Sequence, residues 1–482
     1  MKLPRYPTYK PSGVEWLGDV PEHWDVKRGR FCMDLNPSSN RIRALRPDDE
    51  VSFVPMEAVG EYGGLNLELT RAIADVGSGY AEFDDGDVVV AKITPCFENG
   101  KGTLAAGLLN GAAFGTTELH VLRVTPTLDR RFLFYFTISR AFRSNGEGEM
   151  YGAGGQKRVP PEFCENFRIP LPTCADQRAI ADFLDRETAK IDTLVAKKRT
   201  LIERLKEKRT ALISRTVTNG LPPDAARAAG LDPHPKLKRS GIDWLGDVPE
   251  HWEIRRLKFN ISRVEQGWSP QCDNTPASDG EWGVLKAGAV NGTDFDPNEN
   301  KRLPDEEAPL QEFEIKKGDF LISRANTREL LGSAALVRTT RPQLLLCDKL
   351  YRLTIRKRNL SPEFLLRFMR SKPGHFEFER DATGSSASMQ NIGQQSVRNL
   401  WVPVPPPPEQ AAIVDFLNHE TAKIDQMIAK VDTAIERLQE YRTALITAAV
   451  TGKIDVRSAI AHNAPLAHDA PRPYNGRTKH QH

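Results

Sequence analysis

Cysteines are few in this sequence of 482 residues, and long apolar runs are missing. The cysteines show no C-x-x-C spacing, which argues against a zinc site and against a disulfide framework. The six stand at Cys32, Cys96, Cys164, Cys174, Cys272 and Cys347. Because no run of about 18 apolar residues and no signal-type N-terminus occurs, we expect a soluble cytoplasmic protein without a membrane segment.

Excess charge is also missing, since 67 Lys and Arg residues stand against 64 Asp and Glu residues and the formal net charge is +3. A domain that binds nucleic acid through general attraction is expected to be strongly basic. Any contact with nucleic acid must therefore come from local clusters of basic side chains.

Signatures of several enzyme classes are absent as well. The sequence has no G-x-x-x-x-G-K-[ST] phosphate loop, no G-x-G-x-x-G opening a helix and no N-P-P-Y-like strand end of an amino-methyltransferase. His23 and His251 each lie in a P-E-H-W sequence and could suggest a metal or catalytic site. A single ring between Glu and Trp in a short turn is more often structural, so we predict no metal site.

One stretch imitates the P-D…E-x-K signature of nucleases, in which two carboxylates hold Mg²⁺ and the lysine steadies the attacking water. It comprises Pro304, Asp305, Glu314 and Lys316. The first half of the chain has Glu82 where the second has Glu314, but Asp84 where the second has Lys316. A turn before a strand explains both versions, so the nuclease interpretation is the weaker one.

The most informative feature that is present is an internal repeat. Residues 12 to 24 and 240 to 252 are identical at eleven of thirteen positions, and Gln177–Leu212 and Gln410–Leu445 agree at 24 of 36 positions without a gap. A tandem repeat of this length predicts two related units that bury equivalent surfaces, with pseudo-twofold symmetry. The stretches between the repeated parts differ, so we expect the two units to read different things.

Short apolar runs separated by Gly, Pro and Asp predict strands in both differing stretches. They are VSFVPM, GDVVVAKI, LHVLRVTP and FRIPLP in the first copy, and GVLKAG, GDFLISR, KLYRLTI and LWVPVP in the second. Residues 83 to 92 align with residues 315 to 324, which places Gly86 with Gly318 and Asp87 with Asp319. The two stretches are therefore expected to share a fold, with a helix at residues 130 to 143 in one and near residues 361 to 371 in the other.

The repeated segments at residues 177 to 212 and 410 to 445 predict long helices of about 35 residues, ~52 Å at ~1.5 Å per residue. Apolar residues at alternating spacings of three and four indicate a heptad seam. The seam residues are Ile180, Leu184, Ile191, Leu194, Leu201, Leu205, Leu212, Ile413, Leu417, Ile424, Met427, Val431, Leu438 and Leu445. We expect the two helices to pack antiparallel; the alternative is that each lies on its own domain.

These patterns predict an α+β fold, in which a strand-rich globular domain followed by a long helix is duplicated. The predicted segments are a first domain at 1–172, a first helix at 173–219, a linker at 220–239, a second domain at 240–405, a second helix at 406–455 and a tail at 456–482. The tail is polar and rich in His, Pro and Asn, so we expect it to be disordered.

The order of these segments resembles the DNA specificity subunits of type I restriction-modification systems. The residues that carry the likeness are WLGDVPEHW, the Pro-rich exits IPLP and VPVPPPPEQ, the helix sequence DFL…ETAKID…IERL…RTALI and the linker GLPPDAARAAGLDPHPKLKRSGIDWLG. The likeness covers nearly all of residues 6 to 455, in both copies.

The resemblance implies two target-recognition domains that each read one half of a split double-stranded DNA sequence, separated by an antiparallel coiled coil. It also implies a chain without catalysis or a cofactor of its own. The partners would be two modification (methyltransferase) subunits that bind S-adenosylmethionine and motor-nuclease restriction subunits, so ATP and Mg²⁺ are expected on partner subunits. Such helices would fix the distance between half-sites by geometry.

Base reading in the major groove uses Arg or Lys with guanine and Asn or Gln with adenine. Two polar loops stand in matching places before the last strand, and further cations lie in or beside Gly-flanked or polar loops. The candidate DNA-binding residues are Lys92, Lys101, Gln156, Lys157, Arg158, Lys286, Arg324, Arg328, Gln390, Asn391, Gln394 and Gln395. For each residue taken alone, a solvated surface position is the competing interpretation.

Two other functions stay open at the level of sequence. The first is a specificity chain that also cuts DNA, which would need Glu314 and Lys316. The second is a coiled-coil scaffold that binds protein and no DNA.

Overall fold

The computed structural model describes residues 3–152, 155–356, 358–386 and 389–457. The predicted disordered tail therefore lies outside the described residues, apart from Val456 and Arg457. The chain forms two compact units: unit 1 consists of residues 1–198 and 433–482, and unit 2 consists of residues 199–432. Within the described residues, no helix is both long and apolar enough to cross a membrane.

Unit 1 is built mainly from short strands. They are β1 Tyr9–Pro11, β2 Asp19–Pro21, β3 Asp25–Arg28, β4 Met33–Leu35, β5 Glu50–Val54, β6 Thr70–Ala72, β7 Ala81–Asp84, β8 Val88–Ala91, β9 Gly102–Leu104, β10 Ala112–Gly115, β11 Leu119–Val124 and β12 Arg168–Leu171. Its helices are α1 Asn40–Ala44, α2 Arg130–Thr137, α3 Arg140–Gly148, α4 Pro161–Asn166, the first part of α5 Cys174–Asn219 and the last part of α10 Pro407–Val450.

Unit 2 repeats this plan. Its strands are β13 Leu237–Arg239, β14 Asp247–Pro249, β15 Glu253–Arg256, β16 Ile261–Gln266, β17 Gly283–Leu285, β18 Asn300–Arg302, β19 Phe320–Ser323, β20 Ala325–Asn326, β21 Ala334–Leu336, β22 Leu344–Leu345, β23 Leu350–Ile355, β24 Thr383–Ser386, β25 Met389–Asn391 and β26 Trp401–Val404. Its helices are the last part of α5, α6 Pro223–Ala228, α7 Pro362–Met369, α8 Lys372–Asp381, α9 Gln394–Asn399 and the first part of α10.

The sheets have the same strand order in the two units, so the prediction of a shared fold is confirmed. The sheet β4-β11-β8-β9 of unit 1 corresponds to β16-β23-β19-β21 of unit 2, and β6-β5-β10 corresponds to β18-β17-β22. Gly86 and Gly318 have φ values of 98° and 97°, a region that favours glycine. In each turn the aspartate that follows the glycine accepts a backbone N–H three residues earlier, from Asp84 or Lys316. The aligned G-D pairs therefore make the same turn.

Both predicted short helices needed correction. The single helix predicted at residues 130 to 143 is two helices, α2 and α3, because the Ser139 side chain accepts the N–H of Phe142 and starts a new helix. In unit 2, α7 begins after Ser361 as predicted and ends at Met369, and Ser371 caps a second helix, α8, that the sequence analysis missed. In each unit the apolar pattern of the sequence continues past the serine, but the serine cap ends one helix and starts the next.

The long helices α5 and α10 have 46 and 44 residues, more than the predicted 35. In unit 1, Asp192 of α5 pairs with Arg442 of α10 at 3.2 Å; in unit 2, Arg209 of α5 pairs with Asp425 of α10 at 3.0 Å. Asp192 and Asp425 are equivalent in the repeat, and so are Arg209 and Arg442. Each unit thus contains the same ion pair, with the two helices exchanging roles.

The direction of the helix pair follows from the cores of the two units. In unit 1 the start of α5, at Ile180, shares a core with the end of α10, at Ile446. In unit 2 the end of α5, at Ile213, shares a core with the start of α10, at Ile413. The helical segments are therefore antiparallel within each unit, which confirms that prediction. The alternative, in which each helix lies on its own domain, does not hold because every unit uses both helices.

The buried face of the helices repeats every eleven residues rather than every seven. All the isoleucines at that spacing are buried: Ile180, Ile191, Ile202 and Ile213 in α5, and Ile413, Ile424, Ile435 and Ile446 in α10. Eleven residues make three helical turns at 3.67 residues per turn, which is closer to the 3.6 of a straight α-helix than the 3.5 of a seven-residue repeat. The buried face therefore drifts around a long helix less per residue than a heptad seam would.

The predicted heptad seam is wrong in the middle of both helices for this reason. Leu194, Leu201 and Met427 are exposed, while Val195 and Ile202 are buried in α5. Leu205, Leu212, Val431 and Leu438 are half-buried, and the predicted seam residues near the helix ends, with Ile191 and Ile424, are buried. Adjacent apolar residues let either register fit the sequence.

A pair of neighbouring residues tests the register. Ile202 is 7 % exposed and Leu201 is 44 % exposed. We expect Ile202→Ala to lower the free energy of unfolding by about 2 kcal/mol or more, since it removes buried methyl groups and leaves a cavity. Leu201→Ala should change it by less than about 0.5 kcal/mol. Urea and thermal unfolding of the full chain measure both; a larger effect at Leu201 would restore the heptad register.

The repeated W-L-G-D-V-P-E-H-W segments join helix ends within each unit. In unit 1, His23 Nε2 lies 3.1 Å from Asp176 Oδ2 in the first turn of α5. The Nζ of Lys453, just after α10, donates to the carbonyl oxygens of Leu17 and Asp19, both at 2.7 Å. The segment therefore ties the start of one long helix to the end of the other.

Unit 2 makes the same joint with the helices exchanged. His251 Nε2 lies 2.7 Å from Glu409 Oε2 in the first turn of α10, and Asn219 Nδ2 at the end of α5 donates to the carbonyl of Asp247 at 3.3 Å. Trp252 is fully buried, as is its equivalent Trp24 in unit 1. Both histidines are thus hydrogen-bonded parts of a structural joint, and its geometry explains why the two segments have stayed alike.

Candidate nucleic-acid interface

A polar strand edge follows β8 in unit 1, where the chain crosses the predicted loop at residues 152 to 158. Ile93 and Arg158 form an antiparallel bridge. The N–H of Thr94 donates to the carbonyl of Lys157, and the N–H of Lys157 donates to the side-chain Oγ1 of Thr94. Lys92 lies one residue before this crossing, and its carbonyl accepts the N–H of Val159. The structure thus brings Lys92 to the same edge as Lys157, a pair separated by 65 positions in the chain.

Unit 2 builds the same edge as a regular sheet. β20 pairs antiparallel with β25, with Ala325 opposite Asn391 and Asn326 opposite Gln390, and the carbonyl of Arg324 accepts the N–H of Ile392. The N–H of Ile392 donates to the carbonyl of Arg324 as the N–H of Val159 does to that of Lys92, so Lys92 is equivalent to Arg324 and Lys157 to Gln390. We name the pairing around Lys92 and Lys157 the reading edge of unit 1, and the pairing of β20 with β25 the reading edge of unit 2. Gln390 and Asn391 were predicted to lie in a loop and lie instead in a strand.

Beside the reading edge of unit 2 is a groove of about 420 Å³ that includes Asn326 and Met389. Lys286, Lys301 and Lys349 line it together with two carboxylates, Glu299 and Asp348. The Lys286 Nζ is 4.0 Å from Glu299, and Lys301 donates to Asn274 at 3.4 Å, a long contact. Three lysines against two carboxylates leave the groove with one excess positive charge, a local basic cluster of the kind that a nucleic-acid contact in a near-neutral chain requires.

Three of the candidate cations are held by other parts of the protein. Lys101 donates from Nζ to the carbonyl of Met56 at 2.9 Å. Arg158 forms a two-pronged ion pair with Glu118, at 2.7 to 3.2 Å, and this hydrogen bond lowers the pKa of Glu118. Arg324 donates to the carbonyl of Asp348 at 3.2 Å and lies over the ring of Tyr351. These contacts make a structural role the first role of each.

The other candidates are more accessible. Gln156, Lys157, Arg328 and Gln395 are exposed, and Lys92, Gln390 and Gln394 are half-buried. Gln394 and Gln395 begin helix α9 and lie beyond the strand that carries Gln390. Ala153 and Gly154 of the predicted unit 1 loop lie outside the described residues.

Sequence reasoning missed Asn326, Lys301 and Lys349 in unit 2. Lys349 had a usable signal: the N–H of Lys92 donates to the carbonyl of Glu118, and that of Arg324 donates to the carbonyl of Lys349, so Lys349 replaces Glu118 in the second copy. The reading edges therefore differ in charge at equivalent positions. Asn326 is oriented by a hydrogen bond to Asn291 Oδ1 at 3.0 Å. The residues next to Asn326 in the sequence do not indicate this hydrogen bond.

The nuclease-like residues are distributed over different contacts. Asp305 pairs with Arg302 at 3.0 Å and is largely exposed. Glu314 accepts the N–H of Gln343 at 3.0 Å, and the pocket that holds Glu314 and Lys316 does not include Asp305. Among the residues that the structure describes, no three His, Cys, Asp or Glu side chains are grouped so as to hold a metal ion.

Comparison with known proteins agrees with this architecture. Residues 79–204 match the family model of the type I restriction modification DNA specificity domain. The chain is 27 % identical over 509 aligned positions to the type I restriction enzyme EcoEI specificity subunit of Escherichia coli, covering 92 % of this chain and 85 % of that protein. A stretch of 164 residues, 34 % of this chain, is 38 % identical to part of the EcoAI specificity subunit of Escherichia coli, covering 27 % of that protein.

The fold is shared with a solved structure from a study of the structural basis of complex assembly and conformational transition of the type I R-M system. It has 20 % sequence identity and a TM-score of 0.62, and the match covers 89 % of this chain and 98 % of the other. Two strand-rich units, each with its own polar edge and each using both long helices, are the architecture in which the match to the DNA specificity domain lies. Over most of its length the chain is similar to the specificity subunits of type I restriction-modification systems.

Proposed function

We propose that this chain gives a type I restriction-modification complex its DNA sequence specificity, with each unit reading one half of a split target. The observation that supports it most directly is the equivalent reading edge in each unit, built by the same antiparallel pairing but with different side chains. Two domains that read different half-sites need the same backbone arrangement with different polar side chains, because discrimination comes from the side chains that reach base edges.

The chain acts in this proposal without catalysing a reaction. Two methyltransferase subunits that bind S-adenosylmethionine and a motor-nuclease subunit that uses ATP and Mg²⁺ supply the chemistry, in the cytoplasm. The near-neutral charge of the chain fits this division, because partner subunits can supply much of the contact with phosphates. Its long helices set the distance between the readers, and the joints at their ends keep that distance fixed.

A binding and methylation assay tests the proposed function. The chain purified with its modification subunits should bind DNA that contains one split sequence and methylate adenines in it, and the chain alone should neither methylate nor cut DNA. Methylation by the chain alone, or Mg²⁺-dependent cutting that Glu314→Ala abolishes while binding stays intact, would contradict a noncatalytic role. Failure of the assembled complex to bind any DNA would favour a protein scaffold.

An exposed phenylalanine occurs at the same position in both units. Phe31 follows β3 and is 67 % exposed, and Phe259 follows β15 and is 60 % exposed. Large apolar side chains at solvent-exposed, repeated positions favour a binding role, because a single exposed apolar residue needs no explanation but a duplicated one is less easily accidental. Two equal sites on one chain fit two copies of the same partner, so we assign them to the two modification subunits.

We expect Phe31→Ala or Phe259→Ala to leave one modification subunit bound per chain, and the double variant to bind neither, because aromatic anchors contribute much of the energy of an interface. Analytical ultracentrifugation of the mixed subunits measures the stoichiometry. Leu69→Ala is the matched control: Leu69 is also exposed, but unit 2 has Lys301 at its ladder position. If the double phenylalanine variant still bound two modification subunits, the assignment of these residues to that interface would be wrong.

A further inference from the structure

A groove of about 860 Å³ in unit 2 runs between helix α5 and the helices α7 and α8. Arg209, Arg367, Arg370 and Lys372 line it, against the carboxylates of Glu329 and Glu379. Arg209 is already paired with Asp425 at 3.0 Å, so the uncompensated cations are Arg367, Arg370 and Lys372. Glu379 is itself occupied, since its Oε1 lies 3.3 Å from the ring of His375. The groove therefore gathers more positive charge than its own carboxylates offset.

The arginines are held in place from behind. Arg370 donates from Nε to the carbonyl of Ala334 at 2.8 Å and from Nη1 to the carbonyl of Thr293. Its Nη2 is buried and has no hydrogen-bond partner within the protein. Arg367 donates to Asn418 Oδ1 at 2.5 Å. A buried guanidinium nitrogen without an acceptor is costly, and an added acceptor would remove that cost.

Electrostatics point the same way. Burial, and after it the charge of Arg367, lowers the pKa of Arg370 to about 10. Burial, and after it the charges of Arg209 and Arg338, lowers the pKa of Arg367. Nearby carboxylates, Asp294 for both arginines and Asp425 for Arg367, act in the opposite direction and do not cancel the effect. The cluster is short of negative charge, which a bound anion would supply.

The scaffold does not need this cluster. At the equivalent positions of unit 1 the residues are Tyr135 in place of Arg367 and Ile138 in place of Arg370. Tyr135 donates to Asp185 at 2.6 Å, and Tyr135 and Ile138 both lie in the core of unit 1. The same helices thus pack in unit 1 with an uncharged pair, so the arginines serve something that unit 2 alone requires.

The groove adjoins the reading edge of unit 2. Asn291, one of its lining residues, accepts a hydrogen bond from Asn326 of that edge at 3.0 Å, and Glu329 in the wall directly follows Arg328. DNA held at the edge would bring its backbone past the groove, and arginine forks bind phosphate oxygens in two-pronged geometry. About half or more of protein–DNA hydrogen bonds go to phosphate and sugar.

We propose that Arg367 and Arg370 form an oxyanion pocket that binds a backbone phosphate of the DNA next to the half-site read by unit 2. This inference rests on the proposed function, since it takes the reading edge to contact DNA. The pocket fixes the position of unit 2 on the duplex and carries no base information of its own.

The test uses the full chain assembled with its modification subunits. We expect Arg367→Gln to weaken DNA binding and to reduce the slope of log K against log salt concentration by about 0.9, the value for one phosphate contact. The loss should be equal for the cognate sequence and for DNA with a changed half-site, and the methylated sequence should stay the same. Arg263→Gln, the same change of charge elsewhere in unit 2, should leave the slope unchanged.

A second measurement changes the DNA instead of the protein. Replacing single phosphates beside the unit 2 half-site by neutral methylphosphonate should reveal one position that weakens binding by the unmodified complex but not by Arg367→Gln. If no such position exists, or if Arg367→Gln loses modification subunits while its salt slope is unchanged, the pocket binds something other than a phosphate of this DNA. If the unmodified complex binds no DNA, the proposed function itself fails.

Discussion

Replacing Gln390 and Asn391 by alanine should relax sequence discrimination at one half of the target and leave the other half strict. Both residues lie on strand β25 of the unit 2 reading edge, and Gln390 pairs with Asn326 across the sheet. Each lost two-pronged contact with a base costs about 1 to 3 kcal/mol. Discrimination at that half-site should therefore fall by about tenfold or more. Sequencing of methylated adenines across a genome measures both halves at once.

The neighbouring glutamines provide the matched control. Gln394 and Gln395 stand in helix α9 beyond the strand, so their replacement by alanine should change the methylated sequence far less. In unit 1, Gln156→Ala with Lys157→Ala should relax the opposite half of the target, since Lys157 is equivalent to Gln390. A uniform fall in methylation, with both halves still strict, would mean that these residues contact phosphate or support the sheet.

The sequence predicted the architecture well because the repeat supplied two independent versions of each element. Strands that were weak signals in one copy, such as the G-D strands β8 and β19, gained weight from their twins and were confirmed. The pairing of long helices was predictable for the same reason, since an apolar stripe that continues over many turns needs a partner. The Pro-rich exits predicted where the long helices start, and α5 begins at Cys174.

The register of the helices could not be settled in the same way. Leu194 and Val195 are adjacent, as are Leu201 and Ile202, so an apolar residue satisfies either a seven- or an eleven-residue repeat at these points. Burial in the folded chain distinguishes them, because it depends on which face meets the other helix.

The candidate site could not be predicted from the sequence for a different reason. The pair of Lys92 with Lys157, and that of Asn326 with Gln390, depends on strand pairing between segments more than 60 residues apart. Local periodicity carries no information about such pairing. Sequence reasoning also gave Arg158 a base-reading role because arginine often reads guanine, while its fixed ion pair with Glu118 becomes visible when the sheet is assembled. The arginine groove draws on α5, α7 and loops between them, so no single segment marks it.

Lengthening both long helices by 22 residues should lengthen the unread spacer of the target by about ten base pairs. The insert, made after Thr200 in α5 and after its equivalent Thr433 in α10, continues the eleven-residue spacing of isoleucines for two repeats, so the buried face is kept. At ~1.5 Å per residue it adds ~33 Å, close to one turn of B-DNA, so each reader still meets the same face of the duplex.

An insertion of eleven residues at the same points tests whether the helices set the distance between the half-sites or whether the complex simply tolerates longer helices. It also keeps the eleven-residue spacing but adds ~16 Å, about five base pairs or half a turn of DNA. The second half-site would then face away from its reader, so we expect folded, assembled protein with little or no methylation at any spacer length. Genome-wide mapping of methylated adenines distinguishes the two variants. If the 22-residue variant assembled and still methylated sites with the parental spacer, the helices would not set the distance between the readers, and the joints built by His23 and His251 would serve stability alone.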